Sequence, residues 1–137
     1  MITDEVVSAV KSYLADSGRR ELAGVSFYER DGASDIQHPS CVVVEEGIPE
    51  EHDLIKGQWT LNLGLVLRSI PEATSETTHR DMTQAINDLV GNSASFVEHL
   101  SESLQCEDSW GGQGMTEAED GYRQTTFSVE IKAAEQS

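Results

Sequence analysis

The stretch that most constrains this chain runs from Gln58 to Val90, where a long alternation is followed by a helical stripe. Trp59, Leu61, Leu63, Leu65 and Leu67 are apolar at every second position, while Thr60, Asn62 and Arg68 fall on the opposite face. A strand sends successive side chains to opposite sides, so this is the pattern of a strand buried on one face. Pro71 has no N–H to give to a ladder, and Thr74, Ser75 and Thr77 offer side-chain oxygens to the first free N–H groups of a following helix. In that helix Met82, Ala85, Ile86, Leu89 and Val90 share one face, and Gly91 ends it. A strand and a helix with one apolar face each must cover one another, so this unit is expected to be the core.

The flanking segments add elements around it. Residues 3–16 read as a helix: Thr3 serves as N-cap, Asp4 and Glu5 suit the positive end of the helix dipole, and Ile2 staples against Val7. Val6, Val7, Val10, Tyr13 and Leu14 form its stripe, and Gly18 stops it. Leu22 to Glu29 alternates weakly as a strand, and the polar stretch from Arg30 to Ser40 reads as an exposed hairpin loop. Cys41 to Glu45, centred on Val42, Val43 and Val44, is β-branched and reads as a short strand. Gly47 to Gly57 has few residues that could anchor it and reads as a mobile turn. After Gly91, Ser95 and Glu98 have capping-box spacing, with Val97, Leu100 and Leu104 as a shorter stripe. Cys106 to Gly121 is rich in Gly, Ser and acids, and is expected to be mostly loop, with a short strand near Cys106. Thr125, Phe127, Val129, Ile131 and Ala133 then alternate as a second clean strand. The sum is a single α+β domain over residues 1–137, a mostly antiparallel sheet of four to five strands with two or three helices on one face. Mobile loops are expected near 30–40, 47–57 and 109–121.

Charge narrows the chemistry. Nine basic residues against 25 acidic give a formal net charge of −16, which argues against a sequence-independent grip on phosphates. No run approaches the ~20 apolar residues of a membrane span, and Met1 to Glu5 lacks a basic secretory start, so a cytoplasmic, membrane-free protein is expected. Cys41 and Cys106 have neither CxxC nor metal-ligand spacing and read as reduced, partly buried thiols. Gly111, Gly112 and Gly114 are not followed by Lys-Ser or Lys-Thr, so they read as loop rather than as a phosphate cradle. His38, His52, His79 and His99 never pair at ligand spacing, and His79, three residues before Met82, reads as a hydrogen-bonded histidine at the helix boundary. The acid pairs Glu45–Glu46, Glu50–Glu51 and Glu119–Asp120 read as solvated charge. No catalytic, cofactor or metal site is assigned.

The layout carries more than any motif. An N-terminal helix, a strand, a variable loop, a strand, the long strand Trp59 to Ile70, a helix opened by Thr78-His79-Arg80-Asp81-Met82, and the closing strand Arg123 to Ala133 resemble the tail terminator (tail completion, head–tail joining) proteins of long-tailed bacteriophages. That resemblance implies a non-enzymatic structural protein of the virion tail, assembled in the host cytoplasm. It would form a homo-oligomeric ring, a hexamer, that caps the tail tube and meets the head connector. Its partners would be the tail tube protein and the connector protein, with DNA passing through without specific binding. Intersubunit or tube contacts are expected at Val42, Val43 and Val44, at Asp31 and Asp35 in one loop, at Glu50, Glu51 and Asp53 in the next, and at Trp110. Two other readings remain open: an acidic protein that mimics nucleic acid and inhibits a DNA-binding partner, and a small α+β enzyme or ligand-binding domain.

Overall fold

The computed structural model describes residues 2–29, 36–51, 58–100, 105–111, 115–119 and 121–134, with backbone only at Ile2, Thr3, Ser93 and throughout 105–111 and 115–119. In chain order the elements are α1 (Ile2–Ala15), a 3-10 turn (Arg20–Leu22), β1 (Ser26–Glu29), β2 (Ser40–Glu45), β3 (Glu50–Glu51) and β4 (Gln58–Ser69). They are followed by α2 (Glu76–Gly91), α3 (Ser93–Leu100), β5 (Gln105–Gly111), β6 (Met115–Glu119) and β7 (Tyr122–Ala134). This is an α+β fold built on one mixed sheet in the order β1-β2-β4-β7-β5, with β3 beside β4 and β6 beside β7.

The long alternating segment is the sheet's axis. β4 pairs antiparallel with β7 along its whole length, from Gln58 opposite Ala134 to Ser69 opposite Arg123. Leu61, Leu63, Leu65 and Leu67 of β4 and Thr125, Phe127, Val129, Ile131 and Ala133 of β7 are all buried. The apolar ones form one cluster with Val6, Val10 and Leu14 of α1, Met82, Ala85, Ile86 and Val90 of α2, and Phe96 and Leu100 of α3. The opposite face carries Asn62, Gly64, Val66 and Arg68 against Glu130, Ser128, Thr126 and Gln124. It is partly solvated, as one face of an antiparallel sheet can be. Arg68 donates to Gln124 there at 2.7 Å.

The helices are pinned to each other as well as to the sheet. The Tyr13 hydroxyl donates to the Leu89 carbonyl at 2.6 Å, and its ring stacks on Phe96 with centroids 4.7 Å apart. α2 opens as expected: Ser75 is its N-cap, and its hydroxyl accepts from the Thr78 N–H at 3.1 Å. α3 opens differently. Its first free N–H groups are met by Asn92, whose Oδ1 accepts from Ser95 N–H at 3.2 Å, so Ser95 lies inside the helix and does not cap it. This earlier start turns Phe96 inward together with Leu100 and leaves Val97 partly buried. Leu104 lies outside the described residues. α1 begins at Ile2, which places Thr3 within the helix and not at its cap.

Two connections differ from the sequence reading. β1 and β2 pair in parallel, Ser26 opposite Ser40 and Glu29 opposite Val43, so the segment between them is a return crossing and not a hairpin. The stretch expected as loop from Ser109 onward carries strands to Gly111 and from Met115 to Glu119. Gly111 pairs with Val129 and Met115 with Thr126, so β5 and β6 lie end to end along the same side of β7. Gly121, at φ +82, stands beside the Glu119–Tyr122 pair, where the hairpin needs a left-handed residue. β3 sits within the turn expected at 47–57, and residues 30–35 and 52–57 are outside the described set.

Candidate functional site

The sheet has two sides on which strands are paired only once. On one, β1 pairs only with β2, and β3 only with β4; on the other, β5 and β6 pair only with β7. An edge strand presents unpaired backbone N–H and C=O groups and can accept a strand from another chain. Charge on an edge discourages indiscriminate pairing, and Glu107, Asp108, Glu117 and Glu119 lie along β5 and β6.

The anticipated contact residues are divided by this topology. Val43 is fully buried in the core and Val42 is buried too, because β2 is an interior strand held between β1 and β4. Both side chains are covered within the protomer. Val44 is half-buried on the helix-free face, opposite Gly64. A Cβ at Gly64 would meet the Glu46 carboxylate and lie 3.2 Å from Val44 Cγ2, so glycine there lets Glu46 fold across the strand. Glu50 and Glu51 are exposed on β3, opposite Thr60 and Trp59. Trp110 is on edge strand β5, opposite Glu130. Asp31, Asp35 and Asp53 are outside the described residues.

Ile48 escaped the sequence reading. It is 87% exposed, the one large apolar side chain so exposed among the described residues. It follows Gly47, whose φ of +79 turns the chain out of β2, and precedes Pro49. Glu45, Glu46, Glu50 and Glu51 surround it in sequence and are all exposed. The available signal was an isoleucine in an acidic turn with no alternating partner that would carry it inward.

Beside β1, the end of α1 and the 3-10 turn border a groove of about 380 Å3. Its apolar wall includes Ala15, Leu22, Val25 and Phe27, and its rim holds Lys11, Arg19 and Arg20. Three of the chain's nine basic residues therefore gather at one place on a strongly acidic protein. Arg19 is engaged at 3.3 Å by both Glu21 and Asp88, through contacts that are solvent-exposed and correspondingly weak.

The polar residues inside the fold form a different kind of group. His79 is buried, with Nδ1 2.7 Å from Ser69 Oγ and Nε2 2.8 Å from Thr125 Oγ1. A neutral imidazole donates through one nitrogen and accepts through the other, and the two hydroxyls can match either tautomer. Burial, and then the nearby Arg123 charge, lower its pKa from the usual histidine value. The expected hydrogen-bonded histidine is therefore present, but its partners come from β4 and β7 and not from its own helix. This Ser–His pair is sealed from solvent and cannot meet a substrate as it stands. Burial also raises the Cys41 thiol to about 12, which makes it an inert core residue. Among the described residues no helix is long and apolar enough to cross a membrane, and no three potential ligands cluster around a metal position.

Fold and surfaces together define an α+β sheet protein with open strand edges, an acidic turn that carries Ile48 and a groove with a basic rim. No protein-family model and no curated protein matches its sequence. Among solved structures, a chain from the virion of the native gene transfer agent particle shares the fold. The TM-score is 0.66 at 11% identity, over 93% of this chain and 93% of that one. At that identity the likeness is one of fold.

Proposed function

We propose that this chain is a structural virion protein of a phage-like particle and, within that class, a tail terminator. The observation that carries the class is the fold held in common with a gene transfer agent virion chain across 93% of both lengths. The order of elements around β4 and α2 supports the terminator assignment. In this reading copies of the chain form a hexameric ring in the tail, assembled in the host cytoplasm, that caps the tube and meets the head connector. The role is mechanical, with no catalytic residue and no cofactor. The net charge of −16 suits a passage for DNA, since like charge keeps phosphates from adhering to the wall.

Electron microscopy of tube ends tests this directly. Self-assembled tail tube protein incubated with the purified chain should show a ring at one end of each tube, and further elongation should stop there. Bare, still-growing tubes, together with tight binding of the chain to a basic nuclease, would favour the acidic-mimic reading instead.

A further inference from the structure

We infer that neighbouring copies join head to tail, with the acidic Ile48 turn of one protomer seated in the basic-rimmed groove of the next. The inference rests on the ring reading above and names its contact. Three observations carry it. Ile48 is 87% exposed at the tip of a turn set by Gly47 at φ +79 and by Pro49, which present it as a single apolar knob. The groove beside β1 offers an apolar wall of Ala15, Leu22, Val25 and Phe27 large enough for one such side chain and its proline neighbour. The charges match: Glu45 and Glu50 flank the knob, and Lys11 and Arg20 border the groove, neither in an ion pair among the described residues.

A protomer cannot satisfy its own groove. The parallel register sets Ser26 of β1 level with Ser40, whereas Ile48 lies beyond Glu45 at the other end of β2. Five residue steps of strand, about 16 Å at roughly 3.3 Å each, separate the two even before the turn is counted. A knob and a groove on different patches of one surface give a heterologous contact, which closes into a ring when the rotation between copies divides a full turn. The contact thereby sets acidic side chains of one copy against basic side chains of the next, offsetting locally the self-repulsion of an acidic chain.

Two complementary variants test the contact. Ile48→Asp spoils the knob and leaves the groove; Lys11→Glu with Arg20→Glu spoils the groove and leaves the knob. Each alone should be a folded monomer by circular dichroism and sedimentation, under conditions that assemble the parent chain. Mixed one to one, they should form a dimer of about 30 kDa from two 15.0 kDa chains, and nothing larger, because one intact knob meets one intact groove. If either variant still forms the parent assembly, the contact is wrong while the ring stands. If both are monomeric and the mixture stays monomeric, the two surfaces do not meet and the inference is overturned. A parent chain that never assembles, alone or on tail tubes, removes the ring reading and this contact with it.

Discussion

Replacing Phe96 by alanine is expected to lower the stability of the folded chain by about 3–5 kcal/mol, the usual cost of deleting a fully buried aromatic side chain. Phe96 has no exposed surface and stacks on Tyr13 at 4.7 Å, so its loss empties the junction of α1 and α3 and removes an aromatic pair together with buried area. Tyr13 is also held by its hydrogen bond to the Leu89 carbonyl, which limits how far α1 can collapse into the gap. Small domains are stable by only about 5–15 kcal/mol, so a large part of the margin would go. Urea denaturation followed by far-ultraviolet circular dichroism measures this. A change below about 1 kcal/mol, nearer the roughly 0.5 kcal/mol typical of surface positions, would mean that Phe96 is not packed as described.

His79→Leu should be the other costly change, by about 2–4 kcal/mol near pH 8. It removes two buried hydrogen bonds and leaves the Ser69 hydroxyl without its imidazole partner, where an unsatisfied buried group costs about 1–3 kcal/mol. The same substitution should alter the pH dependence. Because the folded pKa of His79 lies below the ordinary value of 6.5, the unfolded chain binds the proton more readily. The histidine's contribution is therefore intact above pH 6.5 and is lost as the pH falls from there towards the folded pKa. The variant lacks that loss, so the stability difference between parent and variant should narrow between pH 8 and pH 5. Parallel stability curves over that range would show that His79 does not titrate as its buried setting requires.

Much of this architecture could be read from the residues because burial on one face leaves a period. β4 and β7 alternate cleanly, since most of their odd-numbered side chains are buried towards the helices and the others lie on the partly solvated face. The stripe of α2 is legible for the same reason, and Ser75 declares its start. The strands β5 and β6 are not, because an edge strand needs only one partner and tolerates glycine and acid. The inward turn of Phe96 is hidden in the sequence, because the Ser95 and Glu98 spacing imitates a cap, whereas Asn92 supplies the real one and shifts the buried stripe. The parallel pairing of β1 places the valines of β2 on an interior strand, and no local pattern announces that pairing. Of the expected contact positions, Glu50 and Glu51 are exposed and Trp110 lies on an edge strand. The groove is built from residues far apart in the chain, so its mixture of apolar wall and basic rim exists only after folding.

Sedimentation velocity across a concentration series, with and without tail tube protein, tests whether copies of the proposed terminator close into a ring. A ring of six 15.0 kDa chains should sediment as a discrete closed species of about 90 kDa, either in the isolated protein or on addition of tube protein. A chain that sediments as a 15.0 kDa monomer at every concentration, and ignores tube protein, would contradict it.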